Sequence, residues 1–223
     1  VNNFMPDWNT IDTVLLDMDG TLLDLHFDSH FWTEYVPQHY ALSRGLDIAT
    51  AKQVLAPVFK KHEGTLDWYC LDFWSHELEL DIAALKRDVA HLIAVKPGAL
   101  PFLDRLRRLG KQTILVTNAH PRSLALKLEH TRLDRHLDRL ISAHSLGLPK
   151  EDSGFWATLQ QTIHFDPQRT LLLDDNLQAL NSAHGFGIAH LLAACYPDSR
   201  SERRHTDEFS YFHEFDEITP PSS

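Results

Sequence analysis

The chain is short of cysteine, of clustered basic residues and of long apolar runs, and each shortage removes a class of function. Its two cysteines, Cys70 and Cys195, stand far apart and form no CxxC pair. That argues against a disulfide framework and against a zinc site built on cysteine spacing, and it fits a reducing cytosol. The longest apolar runs, residues 13–16 and 188–195 among them, fall well short of the roughly 20 residues that a membrane span needs. The opening VNNFMPDWNT has neither a basic n-region nor an apolar h-region, so no signal peptide is read there. No GxxxxGK[ST] loop and no GxSxG elbow occur, which leaves a P-loop NTPase and a serine hydrolase without support.

Positive charge is also scarce. Acidic residues number 31 against 21 lysines and arginines, a formal net charge of −10. A binder of polymeric nucleic acid would show a basic patch. The densest basic groups, Arg105, Arg107 and Arg108 with Lys111, and the pair Arg203–Arg204, read as solvated helix or tail faces. There are 15 histidines, yet only His26 and His30 have ligand-like spacing, and scattered surface histidines are the better account.

What remains is a chain of 223 residues that is 43% hydrophobic, enough for one substantial domain or for a core carrying a smaller insert. Short, nearly continuous apolar runs at 13–19, 112–118, 138–143, 170–175 and 188–194 read as strands of a parallel sheet covered on both faces. Helical patterns fall between them: 101–109 with Pro101 at its start, one opening at Pro121, 151–163 with two acids in its first turn, and 176–184 closed by Gly185. Strand and helix in alternation predict a doubly wound, Rossmann-like α/β sheet. The rhythm breaks once. Roughly ninety residues separate the first strand from the second, far more than a crossover requires. Helical patterns at 31–43, 48–62, 65–80 and 82–93 fill the gap. Residues 28–94 are therefore expected to form an inserted helical domain, with 1–27 and 95–223 making the core. Lys96-Pro97-Gly98 marks the return. The polar tail from Asp198 onward carries Phe209, Tyr211, Phe212 and Phe215, and it either docks on the core or meets a partner.

The strongest chemical signal is Asp17-Met18-Asp19-Gly20-Thr21 at the end of the first strand. Taken alone, Asp-Gly fits a turn as well as a site. Asp174-Asp175 ends another strand in the same way, and in a parallel sheet all such ends lie along one edge, where ligands bind. A meeting of Asp17, Asp19, Asp174 and Asp175 has little structural purpose, because each buried charge costs several kcal/mol to desolvate. It suits a hard divalent cation, and oxygen ligands point to magnesium. Thr117-Asn118 ends a third strand ahead of the helix from Pro121. Lys150 stands in a loop, where a lone lysine is ordinarily solvated.

In order, DxDGT, Thr-Asn, Lys and Asp-Asp resemble the four motifs of the haloacid dehalogenase superfamily of phosphohydrolases, over nearly the whole chain. The resemblance implies that Asp17 is the nucleophile and Asp19 the general acid and then base. It implies magnesium held by Asp17, the Asp19 carbonyl, Asp175 and Asp174. Phosphate would be held by Thr117, Asn118 and Lys150 with the Met18 and Asp19 amides. Dehalogenase members lack the second acid, so Asp19 argues for phosphoester hydrolysis. The insert would be a cap that closes over the site.

The stretches TVLLDMDGTLLDL, TLDWYCLDFWS, TNAHPRSLALKLEHT and LPKED resemble the bacterial GMP/IMP nucleotidase family. That implies a cytoplasmic purine 5′-nucleotidase, with Asp67, Trp68 and Asp72 as candidate substrate contacts. The cap aromatics fit the cap's own core at least as well as a base-stacking role. The rival readings are a phosphatase for phosphoglycolate or a sugar phosphate, a phosphomutase, and a non-catalytic nucleotide- or metal-binding protein.

Overall fold

A computed structural model describes residues 5–221. Residues 1–4, which open the stretch read as free of a leader, lie outside the described residues. Five strands carry the expected runs: β1 Thr13–Leu16, β2 Gln112–Thr117, β3 Arg139–Ser142, β4 Thr170–Asp174 and β5 His190–Ala194. A sixth, β6 Tyr211–Phe212, comes from the tail and pairs in parallel with β5. The order is β3-β2-β1-β4-β5-β6, all parallel.

Both faces of the sheet are buried, which explains the unbroken apolar runs. Val14, Leu16, Leu115, Leu171 and Leu173 enter one core with Phe102, Leu103 and Leu106 of helix α7 (Ala99–Arg108). Leu15, Ile114, Val116 and Leu172 enter the other. There they meet α9 (Phe155–Thr162) and α10 (Leu177–Phe186). The tail docks on the first face, where Phe212, Phe215 and Ile218 are buried and the Phe215 ring centroid lies 5.0 Å from that of Phe102.

The segment between β1 and β2 is helical: α1 His26–His30, a π-helical turn Phe31–Tyr35, α2 Val36–Arg44, α3 Ile48–His62, α4 Leu66–Tyr69, α5 Leu71–Leu78 and α6 Ile82–Asp88. Its aromatic and aliphatic side chains pack into a core of their own around Phe27, Phe31, Leu55 and Trp74. Its two connections to the sheet run side by side: Leu23 bridges Val95, and Lys96 N–H donates to the Leu22 carbonyl at 2.9 Å. No helix among the described residues is long and apolar enough to cross a membrane.

Several expected boundaries move for local reasons. The helix expected at 65–80 breaks at Cys70, whose backbone is extended and whose Sγ accepts the Phe73 N–H at 3.4 Å. The helix placed at Pro101 begins two residues earlier, after Gly98 in the left-handed region at φ +77°. Proline is still accommodated there, because first-turn N–H groups have no intrahelical partner. The helix ended at Gly185 runs on to Phe186 and is closed by Gly187. Most consequential, 151–154 are turns and α9 starts at Phe155, so Glu151 and Asp152 are not first-turn helix acids.

Candidate active site

Register builds the site. Leu16 lies opposite Leu115 and Leu173. One step further along each strand, Asp17, Val116 and Asp174 are level at the carboxyl edge. Asp17 N–H donates to the Leu173 carbonyl at 2.9 Å. Carboxylate oxygens of Asp17, Asp174 and Asp175 all lie within 4.8 Å of one another. Gly20 is required beside them: at φ +93° it has the left-handed conformation, and a Cβ there would stand 2.6 Å from Asp175 Oδ2.

Lys150 is buried at the centre of this cluster, not solvated. Its Nζ donates to Asp17 Oδ1 at 2.5 Å and to Asp174 Oδ2 at 2.7 Å. Burial alone would lower its pKa, but the two carboxylates hold it well above the ordinary lysine value. Asp174 Oδ1 accepts the Asn176 N–H at 3.0 Å, so both its oxygens are engaged. Asp17 Oδ2 is buried and has no hydrogen-bond partner among the described residues. Burial, with Asp174 adding repulsion and Lys150 opposing, pushes the Asp17 carboxyl up to about 6. Burial and then Asp17 and Asp174 raise Asp175 well above its usual range. Three carboxylates against one ammonium leave a deficit of two positive charges. The orphaned oxygen and the hard donor set fit a divalent cation.

Thr117 and Asn118 reach the same edge. Thr117 Oγ1 accepts the Ala119 N–H at 3.0 Å, which leaves its proton free to donate. Asn118 Oδ1 accepts the Lys150 N–H at 2.9 Å and so fixes the lysine backbone. Met18 is fully buried, and its backbone N–H lowers the Asp17 carboxyl.

Asp19 lies outside the three-acid cluster. Its Oδ1 is 2.6 Å from Lys127 Nζ, an ion pair off the line of a formed hydrogen bond. Lys127 also donates to Asp28 Oδ2 at 2.6 Å, and Lys86 donates to Asp28 Oδ1 at 2.5 Å. Burial raises the Asp19 carboxyl to about 6 against the pull of Lys127. Burial would raise Asp28 as well, but Lys127 and Lys86 hold it below the usual carboxylate range.

These acids and lysines line a cavity of about 940 Å³, walled on the helical side by Trp32, Phe59, Trp68 and Tyr69. Trp68 lines the cavity and also packs edge-on against Trp74, which is 1% exposed in the insert's core. Asp67 and Asp72 are not among the lining residues. The Asp72 side chain is 62% exposed and is held at the surface by Arg122 Nη1 at 2.8 Å. Arg204, read as a tail charge, stands at the cavity rim and acts electrostatically on Asp175. Glu151, expected only as a first-turn helix acid, also lines the cavity. It accepts the Tyr69 O–H at 2.6 Å, Asn176 Nδ2 at 2.8 Å and Asn118 Nδ2 at 2.8 Å, tying the insert to two strand ends. Its position directly after Lys150 in LPKED was the available signal.

Known proteins resemble this chain in sequence and in fold. The chain is 45% identical over 192 residues to the GMP/IMP nucleotidase YrfG of Escherichia coli, covering 86% of each chain. It is 22% identical over 203 residues to (S)-2-haloacid dehalogenase 4A of Burkholderia cepacia, covering 81% of each. Its fold superposes with a TM-score of 0.74 on a HAD phosphatase from Thermococcus onnurineus, at 22% identity, over 90% of this chain and 92% of that one. The model of the haloacid dehalogenase-like hydrolases matches residues 11–187. With most of its length accounted for in this way, the chain belongs to the haloacid dehalogenase-like hydrolase family.

Proposed function

We propose that the protein is a magnesium-dependent purine 5′-nucleotidase that hydrolyses GMP or IMP to the nucleoside and phosphate through a phosphorylated Asp17. The observation that carries the substrate is the 45% identity to a GMP/IMP nucleotidase over 86% of both chains. The chemistry is supported by the free Asp17 Oδ2 beside Lys150. Residues 28–94 act as the cap, and 1–27 with 95–223 as the core.

Asp17, Asp175 and the Asp19 carbonyl would hold magnesium, with Asp174 contributing directly or through water. When bound, the ion supplies the charge neutralisation that lets a carboxylate approach an anionic phosphate. One carboxylate oxygen of Asp17 attacks phosphorus and forms the new P–O bond as the ester P–O bond breaks. Asp19 gives its proton to the departing ribose oxygen; a carboxyl near 6 is suited to give and retake a proton at neutral pH. Water then attacks the same phosphorus, Asp19 takes its proton, and the bond to Asp17 breaks to release inorganic phosphate. Lys150 neutralises Asp17 and, with the Thr117 hydroxyl, Asn118 and the Met18 and Asp19 amides, holds the phosphoryl oxygens in line. A cavity of about 940 Å³ with an aromatic wall suits a whole mononucleotide.

Phosphate release from GMP, IMP, AMP, UMP, phosphoglycolate and glucose phosphate, with and without magnesium, tests this. The expected result is magnesium-dependent turnover with kcat/KM at least ~10-fold higher for GMP or IMP than for the other esters. Equal turnover of every ester, or none of the nucleotides, overturns the substrate claim. Transfer of phosphate between hydroxyls in place of release would identify a phosphomutase.

A further inference from the structure

Beside the acidic edge, but apart from it, three side chains of different chemistry converge. Cys70 sits at the extended break between α4 and α5 of the insert. His120 precedes helix α8 (Pro121–Thr131), and His144 follows β3. One donor atom from each lies within 4.8 Å of the others. The two imidazole rings stand edge to face with centroids 5.0 Å apart. His144 Nε2 is buried with no hydrogen-bond partner among the described residues. An orphaned acceptor beside a thiol and a second imidazole needs an account, because buried polar atoms are nearly always satisfied.

We propose that Cys70, His120 and His144 form a binding site for Zn²⁺ or another thiophilic divalent cation, bridging the helical insert to the sheet edge. One thiolate and two imidazoles make a zinc donor set, and a poor one for magnesium. Zinc–ligand bonds of about 2.0–2.3 Å bring tetrahedral donors to roughly 3.3–3.8 Å of one another, so side-chain rotation closes the cluster. Asp72, whose Oδ2 is 3.5 Å from His120 Nε2, or a water completes the fourth position. Both imidazoles are suited to ligation at neutral pH. Burial lowers the pKa of each, and His120 adds to the effect on His144.

Binding exchanges the Cys70 S–H proton for the metal and involves no redox change. The Cys70 sulfur already accepts the Phe73 N–H at 3.4 Å, a contact that a metal-bound thiolate keeps. At His120, ligation through Nε2 moves the ring proton to Nδ1 and gives up a long contact of 3.3 Å from the Arg122 N–H. Tyr69, next in sequence to Cys70, is tied to Glu151 of the core. Metal at this site therefore adds a second tie between insert and core at the side of the cavity. The inference does not rest on the nucleotidase reading, and its test reads the metal directly.

Cobalt(II) titrated into the magnesium-loaded protein is the test. At one equivalent the wild type is expected to show a thiolate-to-cobalt charge-transfer band with the intense visible bands of tetrahedral coordination. Cys195→Ser keeps both, Cys70→Ser loses the charge-transfer band, and His144→Ala, outside the insert, weakens binding at least ~10-fold. Circular dichroism verifies that each variant is folded, and His144→Ala carries the test if Cys70→Ser is not. Absence of the band in the wild type, its persistence in Cys70→Ser, or its loss in Cys195→Ser alone overturns the proposal.

Discussion

Two buried charge clusters lie within the same cavity, and they are balanced differently. At the sheet edge, Asp17, Asp174 and Asp175 face a single lysine, Lys150. Beneath the insert, Asp19 and Asp28 face two lysines, Lys127 and Lys86. The second cluster is neutral by itself. The first lacks two positive charges and holds an orphaned carboxylate oxygen. One is complete as folded protein, and the other becomes complete only with a cation and substrate. The difference separates charges that pair within the protein from charges that await a cation and substrate; Asp19, paired with Lys127, is the member of the balanced cluster that also serves as the proposed acid and base.

Breaking each cluster in turn sharpens that contrast. Asp17→Asn is expected to lower phosphate release from GMP by ~10⁴-fold or more. It should leave the melting temperature of the metal-free protein unchanged or higher, since a repelled charge is removed. Lys127→Met strikes the balanced cluster. It leaves buried carboxylates uncompensated, a loss of about 3–5 kcal/mol, or roughly 10 °C in melting temperature. Magnesium-induced stabilisation should survive it. Loss of magnesium binding without loss of stability would contradict the division.

Proton linkage gives a smaller effect with a defined sign. The folded Asp17 and Asp19 carboxyls sit at about 6, above their ordinary value of 3.8. Folded protein therefore binds more protons than unfolded protein between those values. Without magnesium, stability falls as pH rises from about 4 through 6. A dication favours the ionised cluster, so magnesium should raise the melting temperature several degrees more at about pH 7.5 than at about pH 5. Differential scanning fluorimetry at both pH values measures this, and an equal shift at both would refute it. Least in size, Glu151→Gln keeps the shape but weakens the tie to Tyr69. It should lower kcat/KM for GMP about 10-fold, mostly through KM, with the metal-free melting temperature little changed.

The reactive cluster was far more legible in the sequence than the balanced one. Asp17, Thr117 and Asp174 close apolar strands, and a parallel sheet sends all such ends to one edge, so local pattern alone predicts their meeting. Lys127 lies in a helix whose leucines look like the buried face. In the structure the buried residues of α8 are Ser123 and Lys127. Its partners, Asp19 and Asp28, come from the turn after β1 and from α1, and no local period announces a contact among three segments. Glu151 was hidden by a plausible alternative, an acid in the first turn of a helix that in fact starts four residues later. The expected cap contacts divide for a related reason: Asp67 and Trp68 share the short helix α4 but only Trp68 lines the cavity, and Asp72 lies beyond the break at Cys70, so a single helical stretch could not tell which side chains face inward.

The central claim is that Asp17 carries the phosphoryl group, and trapping it is the most direct test. Asp19→Asn removes the base needed for the second step, while p-nitrophenyl phosphate has a leaving group that needs no acid in the first. With magnesium, this variant should release a burst of ~1 equivalent of nitrophenol. After an acid quench, the peptide containing Asp17 should be heavier by one phosphoryl group. A burst with the label on another residue, or steady turnover with Asp17 never modified, would contradict the account.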